Sequence, residues 1–392
     1  KFKLMDYLSF QNWTFPVPIR YGPGRIKELS EICQIKGIKK PLVVTDNGSK
    51  NLNFIKNILS YLEDHQLKPG LFSNISPNPR DTEILEGKLN FNDGDYDGII
   101  AIGGGSGMDG GKAISLIANN NYDIWDFEWE KTPPKIYENN KFPPLVCIPT
   151  TAGTGAETES SAMVTDTKLL VKWCIAHPQQ KPVEVILDPE LTLELPKNLT
   201  AWTGVDALVH AIEAYVIDDF HPLCDASAIE GLRLIYPNLP IVHNDPSNLI
   251  ARGKMLVGSC LAGISFLKGL GFVHAISHMV GAEFDTQHGL TNAIVLPSVL
   301  RFNEKVISDK VPIMCQAMNL KKNDFDYFYQ SICEILDQLG IPKNLKEIGI
   351  NESSIASLAE KALKDSAYAT NPRTASKEEM EEIIFQSLNS GR

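Results

Sequence analysis

Short apolar runs separated by amphipathic stretches mark the first half of the chain. Between these runs, residues 52–65 carry apolar side chains at the spacing of a helix that packs on one face. Runs rich in Val and Ile are typical of parallel strands that are buried on both faces. The alternation therefore predicts a parallel sheet covered by helices, with strands in four segments: 40–46, 97–105, 143–151 and 183–190.

The pattern changes near Pro196. Helical spacing then continues without a strand-like run, most clearly in four segments: 200–218, 226–239, 249–267 and 355–365. We therefore expect an α/β domain over residues 1–196 and an all-helical domain over 197–392. Thr200 is predicted to cap the first helix of the second domain. No chemistry is evident in the segment from 320 to 392.

Charge and cysteine usage narrow the class of protein. The chain has 37 basic and 48 acidic residues, a net charge of −11, which disfavours nucleic acid and suits small-molecule partners. No apolar run approaches the roughly 18–20 residues of a membrane-spanning helix, so no membrane contact is expected. The seven cysteines are scattered without a CxxC pair, which favours a reducing compartment, and we predict the cytoplasm.

A glycine-rich loop follows the second apolar run and spans 103–112. A strand that enters a glycine turn and then a helix aims backbone N–H groups at a pyrophosphate. The GxGxxG pattern within it is weak evidence alone. In the usual dinucleotide fold an acid follows this loop by about 20 residues. Here Asp46, the one strand-end acid of that kind, precedes the loop. A tight surface turn therefore remains an alternative interpretation.

Two further features suit a nucleotide cleft. Residues 149–157 form a second loop of small residues after a strand, whose hydroxyls and bare backbone can line a cleft or make a simple turn. Asp46 ends a strand, where a carboxylate can accept both ribose hydroxyls and repel a 2′-phosphate. It can equally start an Asx-turn through 47–49, and the two roles are compatible.

One acid and several histidines recur at helical spacing. Asp206 and His210 are four residues apart, as are His274 and His278, and His288 follows. Each alone is more often a core or cap residue than a ligand. Together they would leave several polar groups buried without hydrogen-bond partners unless they bind one shared metal. This donor set suits Zn²⁺ or Fe²⁺ better than Mg²⁺ or Ca²⁺. The remaining histidines are interpreted as surface residues: His65, His177, His221 and His243.

Five motifs together resemble the iron-containing (group III) alcohol dehydrogenases. The resemblance is collinear from about Tyr21 to Asn303. It implies a dehydroquinate synthase-like fold, with a Rossmann-like nucleotide-binding α/β domain, an all-α C-terminal domain and a metal in the cleft between them. The motifs are GGGSGMDGGKAI, PTTAGTGAE, DPELT, TGVDALVHAIEAY and HAISHMVGAEFDTQHGLTNAIVLP.

The resemblance also implies roles for individual residues. His278 would lie near the nicotinamide and Asp109 at its ribose, both in catalytic roles. The acid at Asp46 favours NAD over NADP. The implied metal ligands are Asp206, His210, His274 and His288. The implied cofactor contacts are Asp46, Gly103, Gly104, Gly105, Ser106, Asp109, Thr150, Thr151, Thr154 and Lys172.

The implied activity is reversible hydride transfer between a primary alcohol and NAD(H), with the alkoxide oxygen on a divalent metal. Iron is expected and zinc is the alternative, and the family resemblance suggests a homodimer or a larger homo-oligomer. The chain departs from many members at Gln287, where they have proline, and this changes the wall of the substrate pocket.

Three rival functions share the fold or its nucleotide site. A semialdehyde or hydroxyacid reductase, or a hydroxyacid–oxoacid transhydrogenase, would keep fold and metal unchanged. A dehydroquinate synthase-like lyase needs several basic residues near the metal. A non-catalytic nucleotide-binding protein would be expected to have lost ligands. Against the lyase, residues 201–300 hold few basic side chains, none within the ligand motifs: Arg233, Arg252, Lys254 and Lys268.

Overall fold

The predicted parallel sheet is present in the first half of the chain. The computed structural model describes residues 17–137, 141–389 and 392. Its strands are β1 (Ile19–Tyr21), β2 (Pro41–Val44), β3 (Gly70–Phe72), β4 (Gly98–Gly103), β5 (Leu145–Pro149), β6 (Ser161–Asp166), β7 (Val171–Ala176) and β8 (Glu184–Leu187). Six of them form one sheet in the order β1-β8-β5-β4-β2-β3, all parallel. β6 and β7 form a separate antiparallel pair.

Each of the four predicted strand segments contains a strand of this sheet. β2, β4, β5 and β8 are buried along their whole length, as the continuous apolar runs indicated. The sequence pattern missed β1 and β3, which have three residues each. It also missed the pair β6–β7, in which buried and half-buried positions mix and no continuous apolar run forms.

Helices cover the sheet and make up the second half. Over 188–389 the described residues form helices and connecting loops without a further strand, so the predicted fold class is confirmed. The helices are α1 (Leu29–Lys36), α2 (Asn53–Asp64), α3 (Asp81–Asp93), α4 (Gly105–Ile117), α5 (Lys197–Val216), α6 (Pro222–Asn244), α7 (Leu249–Ser265), α8 (Phe272–Phe284), α9 (His288–Ile307), α10 (Val311–Ala317), α11 (Phe325–Gln338), α12 (Ile355–Ala362) and α13 (Lys377–Asn389).

The start of α5 differs from the prediction. The helix begins at Lys197 with Pro196 as its N-cap, so Thr200 lies inside the first turn and does not cap it. Proline suits this entry because its fixed φ and missing N–H cost nothing there. The Thr200 hydroxyl instead donates to Leu195 O at 3.4 Å and accepts from Arg252 Nη1 at 3.1 Å.

One core helix is longer and more apolar than the sequence analysis allowed. The stretch Leu249–Lys268, which contains α7, has the length and composition of a membrane-spanning helix. However, 67% of that window is buried inside the protein, where α7 packs against α5 and α6. This burial is that of a core helix.

The strand order creates a crevice at the carboxyl ends of β2 and β4. The chain runs from β2 outward to β3 and then returns to β4 on the other side of β2. In open α/β sheets ligands bind at such a switch point, where the loops after the two strands diverge. The segment after β2 carries Asp46, and the segment after β4 carries the glycine loop. The topology thus explains why this acid precedes the loop in sequence.

The sheet and the helical half meet through backbone contact between two glycines. Gly155 has a φ of +60°, and a Cβ there would lie 2.4 Å from Gly263 Cα in α7. A Cβ on Gly263 would likewise lie 2.4 Å from Gly155 O. Only glycine at both positions permits this approach. It fixes the loop 149–157 directly against α7.

Candidate metal and nucleotide site

Asp46 and the glycine loop lie side by side at the end of the sheet. Val44 of β2 pairs with Ala101 of β4, which aligns the segments that follow. Gly103 has a φ of +140°, and a Cβ there would lie 3.1 Å from Asp46 Oδ2. Asp46 also organises its own turn: Oδ1 accepts from the N–H groups of Gly48 at 2.9 Å and Ser49 at 3.0 Å. The Asx-turn is therefore present beside the loop.

The N-terminus of α4 offers its amides to a ligand. Its N-cap is Gly104, and no side chain among the described residues caps it. Ser106 lies in this first turn. The hydroxyl of Thr151 is buried and lacks a hydrogen-bond partner within the described ranges, and its Cγ2 would lie 3.3 Å from a Cβ on Gly104. Free amides at a helix start with an unpaired hydroxyl beside them fit a pyrophosphate.

The second small-residue loop packs directly on the first. Thr150 N donates to Gly103 O at 2.8 Å. A Cβ on Gly105 would lie 2.6 Å from Thr154 Cγ2, so the loop 149–157 forms one wall over the start of α4. The structure thus brings these predicted cofactor-binding residues together.

Asp109 and Lys172 lie deeper in the same region. Asp109 Oδ2 accepts from Met163 N at 3.2 Å, and Lys172 Nζ donates to Asn78 Oδ1 at 3.3 Å. Burial raises the pKa of Asp109 above its ordinary value, and the positive charges of Lys112 and Lys172 oppose that shift. Burial likewise lowers the pKa of Lys172, and the acids around it oppose this.

The four predicted metal ligands form one buried cluster. Asp206 and His210 project from α5, His274 from α8, and His288 begins α9. Their donor atoms all lie within 4.8 Å of one another. Asp206 Oδ1 lies 3.8 Å from His210 Nε2, 3.8 Å from His274 Nε2 and 3.7 Å from His288 Nε2. One carboxylate and three imidazoles at these separations match the donor set of a zinc or ferrous site.

Close packing places the last of these histidines. A Cβ on Gly289 would lie 2.3 Å from Trp202 O, so the start of α9 contacts the backbone of α5 directly. Gln287 caps α9, with its Oε1 accepting from Leu290 N at 2.6 Å. The residue that departs from the family pattern thus fixes the helix that begins with His288.

Two polar residues that the sequence analysis did not single out surround the cluster. Glu213 Oε2 lies 2.6 Å from His274 Nδ1, and its Oε1 accepts from Val273 N at 2.8 Å. Asn292 Nδ2 donates to Asp206 Oδ1 at 2.7 Å. Both had a local signal: Glu213 follows Asp206 by two helical turns, and Asn292 follows His288 by one.

Burial sets the protonation of the cluster. It lowers the pKa of His274 and His288 well below the ordinary value, so both imidazoles are neutral, the form that ligates metals. Burial also raises the pKa of Glu213 to about 7, against the lowering effect of the Val273 N–H. A neutral ring hydrogen-bonded at Nδ1 presents its Nε2 lone pair to the cluster.

His278 lies beside the cluster and has a partner from the end of the chain. Its ring stacks on His288 with centroids 5.4 Å apart, and its Nδ1 lies 2.9 Å from Asp365 Oδ2. Both side chains are buried. The segment 320–392, in which the sequence showed no chemistry, thus supplies a carboxylate that contacts His278. No local pattern pointed to Asp365, because it lies 87 residues from His278.

One of the other histidines also differs from expectation. His243 is buried, because α6 continues to Asn244 and turns this residue inward. His177 caps a short turn and packs edge-on against Phe127 at 5.3 Å. The remaining two, His65 and His221, are at least partly exposed.

Lys172 connects the nucleotide edge with the metal-ligand cluster. The acids Asp109 and Asp206 both act to raise the pKa of Lys172, against the lowering by burial. The positive charge of Lys172 in turn contributes to the lowering of the pKa of His288. Strand β7, which carries it, packs against α8. The glycine loop and the histidine cluster thus face one region between the sheet and the helices.

Comparisons with known proteins agree with this architecture. Residues 16–189 match the family model for iron-containing alcohol dehydrogenase, and residues 200–388 match the C-terminal model of the Fe-containing alcohol dehydrogenase family. A 1,3-propanediol dehydrogenase of Citrobacter freundii is 35% identical over 99% of this chain and all of its own length. An NAD-dependent methanol dehydrogenase of Bacillus methanolicus is 33% identical over 96% of this chain and all of its own.

Solved structures give the same result. A crystal structure of a 1,3-propanediol oxidoreductase superposes with a TM-score of 0.89 at 35% identity, covering 96% of this chain and 100% of that one. Full-length sequence identity above 30% and two family models that together span nearly all of the chain establish the relationship. The chain belongs to the iron-containing alcohol dehydrogenase family and is an oxidoreductase of that family.

Proposed function

We propose that this chain is a metal-dependent, NAD(H)-linked dehydrogenase of small primary alcohols, acting in reverse as an aldehyde reductase. The observation that carries the proposal is the position of Asp206 Oδ1, within 3.8 Å of three histidine Nε2 atoms. Lys172 acts electrostatically on this cluster and on Asp109 of α4, and no side chain among the described residues caps the start of that helix. A hydride acceptor and a Lewis acid are the two components that alcohol oxidation needs.

The metal would be held by Asp206, His210, His274 and His288. When bound, a divalent ion supplies Lewis-acid stabilisation of the alkoxide oxygen and NAD supplies the hydride acceptor. One carboxylate and three imidazoles leave a site of net charge +1 that suits Fe²⁺ or Zn²⁺. We propose Fe²⁺ from the family relationship, with Zn²⁺ as the alternative. The buried carboxylate–imidazole contact at Glu213 keeps His274 oriented toward the site.

The nucleotide would lie across the ends of β2 and β4. Gly103, Gly104, Gly105 and Ser106 would receive the pyrophosphate at the start of α4. Thr150, Thr151 and Thr154 would line its other side, and Asp109 and Lys172 would contact the nicotinamide ribose. Asp46 would accept ribose hydroxyls and repel a 2′-phosphate, so NAD is the proposed cofactor.

His278 would take the proton that the alcohol hydroxyl releases. It stacks on His288 and is therefore next to the ligand cluster. An imidazole ring can accept a proton at one nitrogen and give it back, which suits proton transfer in both directions of the reaction. The names of the relatives, 1,3-propanediol dehydrogenase and methanol dehydrogenase, support a small alcohol as substrate.

The proposal extends to the division of the chain into units, to its compartment and to its oligomeric state. We propose two units that divide between Pro196 and Lys197, where α5 begins. All seven cysteines are free thiols, which supports a reducing compartment such as the cytoplasm. A homodimer or larger homo-oligomer is proposed from the family relationship.

The test is an aldehyde panel with NADH. Protein loaded anaerobically with Fe²⁺ is assayed against short alkyl, hydroxyalkyl, carboxylate-bearing and sulfonate-bearing aldehydes, with and without a chelator. Chelator-sensitive consumption of NADH on short aldehydes is the expected result. Preference for the carboxylate-bearing aldehydes would instead indicate a semialdehyde reductase. No turnover, although metal and NADH bind, would overturn the proposal and favour a transhydrogenase or lyase.

A further inference from the structure

The segment from 365 to 371 is fastened to the start of α8. Thr370 Oγ1 donates to Leu270 O at 2.6 Å and accepts from Leu270 N at 3.2 Å. Asn371 Oδ1 accepts from the N–H of Phe272, the first residue of α8, at 3.2 Å. Tyr368 stacks on the same phenylalanine with centroids 5.2 Å apart. The segment and the helix that carries His278 are therefore one packed unit.

Two glycines before α8 make this attachment possible. A Cβ on Gly269 would lie 2.6 Å from Thr370 Oγ1, and a Cβ on Gly271 would lie 2.8 Å from Asn371 Oδ1. Asn371 also exchanges two hydrogen bonds of 3.0 Å with Asn303 of α9. These contacts hold the segment against two of the helices that supply the metal-ligand cluster, α8 and α9.

The attachment presents one carboxylate to one histidine. Asp365 Oδ1 accepts from Ala367 N at 2.8 Å, which caps the turn and fixes the carboxylate plane. Its other oxygen, Oδ2, lies 2.9 Å from His278 Nδ1. The two side chains are 2% and 5% exposed, so water does not compete for the contact. Asp365 also lines a cleft together with Lys172 and Trp173.

The geometry determines which ring nitrogen carries the proton. A carboxylate only accepts hydrogen bonds, so Nδ1 of a neutral His278 must donate. Nε2 is then the lone-pair acceptor, and no group among the described residues hydrogen-bonds it. The same logic governs the Asp of a Ser-His-Asp triad, which holds its histidine in the productive tautomer without taking the proton itself.

We infer that Asp365 is a positioning residue for the hydride transfer proposed above, on which this inference rests. It holds His278 in the tautomer whose Nε2 can accept a proton. In alcohol oxidation this Nε2 takes the proton of the hydroxyl, and the hydrogen of the C–H bond leaves with its electron pair as hydride for the oxidised cofactor. In the reductive direction the Nε2 proton returns to the product oxygen. Asp365 touches neither substrate nor cofactor in this role and acts through His278 alone.

The informative substitution is Asp365→Asn. The asparagine Oδ1 can still accept from Ala367 N and keep the cap. Its amide Nδ2 then donates to His278 Nδ1 and forces the ring proton onto Nε2. We expect kcat to fall by about 10²-fold or more, the range of lost proton transfer. The KM for NADH and the metal content should stay within about twofold, because the substitution leaves the residues that bind the cofactor and the metal unchanged.

Two controls separate this effect from a lost cap. Asp324→Asn alters another N-cap, where the carboxylate accepts from Tyr327 N at 2.9 Å on α11, and should leave kcat unchanged. In a His278→Ala background, Asp365→Asn should add no further loss, because a residue that acts through His278 has nothing left to orient. A further drop equal to that in the native background would overturn the inference.

The direct readout is the tautomer itself. ¹⁵N spectra of histidine-labelled, zinc-loaded protein, with His278 assigned from the His278→Ala variant, should show the proton on Nδ1 in the native chain and on Nε2 in Asp365→Asn. A native ring with its proton on Nε2 would overturn the inference without any activity measurement. Normal turnover of His278→Ala would instead overturn the proton-accepting role in the proposed function, whatever the spectra show.

Discussion

Glu213 Oε2 lies 2.6 Å from His274 Nδ1, and the two side chains are 5% and 1% exposed. The contact joins two helices, since Glu213 is on α5 with Asp206 while His274 is on α8. A carboxylate at Nδ1 of a metal-binding histidine fixes the ring orientation and makes Nε2 a better donor. Helix α5 thus supplies both the proposed carboxylate ligand, Asp206, and the residue that orients His274.

Glu213→Gln should weaken metal binding without unfolding the chain. Loss of such a carboxylate partner typically costs 10–100-fold in metal affinity, and we expect about that loss here. Competition with a chelator of known affinity measures it. Glu230→Gln, which removes a surface carboxylate paired with Arg233 on α6, is the matched control and should leave metal affinity unchanged. Equal affinity in both variants would contradict the role assigned to Glu213.

Asp46→Asn should shift cofactor preference toward NADP(H). The asparagine Oδ1 can keep the turn bonds to Gly48 N and Ser49 N, while the charge and the bond that Oδ2 accepts from the Ser49 hydroxyl are lost. We expect the ratio of kcat/KM for NADPH to that for NADH to rise by about tenfold or more, equivalent to about 1.4 kcal/mol. Steady-state kinetics with both cofactors test this, and an unchanged ratio would place the ribose elsewhere.

Glu159 should make stability fall as pH rises. The residue is 3% exposed, and burial raises its pKa from 4.5 to about 8. Between these values the folded state keeps a proton that the unfolded state releases, so unfolding becomes easier with increasing pH. Glu159→Gln should remove this contribution, up to about 1.4 kcal/mol per pH unit.

Urea unfolding of the two chains from pH 5 to pH 8 measures the effect. The stability advantage of Glu159→Gln over the native chain should grow across that window. Exposed Glu194→Gln serves as the control and should track the native chain at every pH. A constant difference between Glu159→Gln and the native chain would show that Glu159 is ionised in the folded protein.

Gly155→Ala should be far more destabilising than a comparable glycine substitution elsewhere. At Gly155 a Cβ would lie 2.4 Å from Gly263 Cα, and backbone cannot yield cheaply. Gly340 has a similar φ, +68°, but nothing within 4 Å of a Cβ. We expect Gly340→Ala to cost about 1–2 kcal/mol for the left-handed backbone alone, and Gly155→Ala to cost several kcal/mol more. Equal losses in urea unfolding would contradict the close contact.

Local patterns in the sequence were sufficient for the four inner strands of the sheet and for part of the ligand cluster. Continuous apolar runs predicted β2, β4, β5 and β8, because strands buried on both faces leave no polar positions. The i,i+4 spacing placed Asp206 with His210 on one helix face. That these residues meet His274 and His288 came from the family resemblance and from the chemistry of buried polar groups, not from spacing alone.

The remaining site residues depend on contacts between distant segments. Asp365 meets His278 only because the turn that carries it packs on α8, and no periodicity records that packing. The order of Asp46 before the glycine loop looked anomalous in sequence. It follows simply from β2 and β4 being neighbours at the switch of the sheet. Strands of three residues, such as β1, are too short for any pattern to identify.

The most direct test of the account is the iron content and turnover of His274→Ala, measured on the same anaerobically loaded sample. We predict less than about one-tenth of the native iron per chain and a parallel loss of chelator-sensitive NADH consumption, because one of the four donors around Asp206 Oδ1 is gone. Native turnover in a His274→Ala sample stripped of metal would contradict the central claim that this cluster holds a catalytic metal.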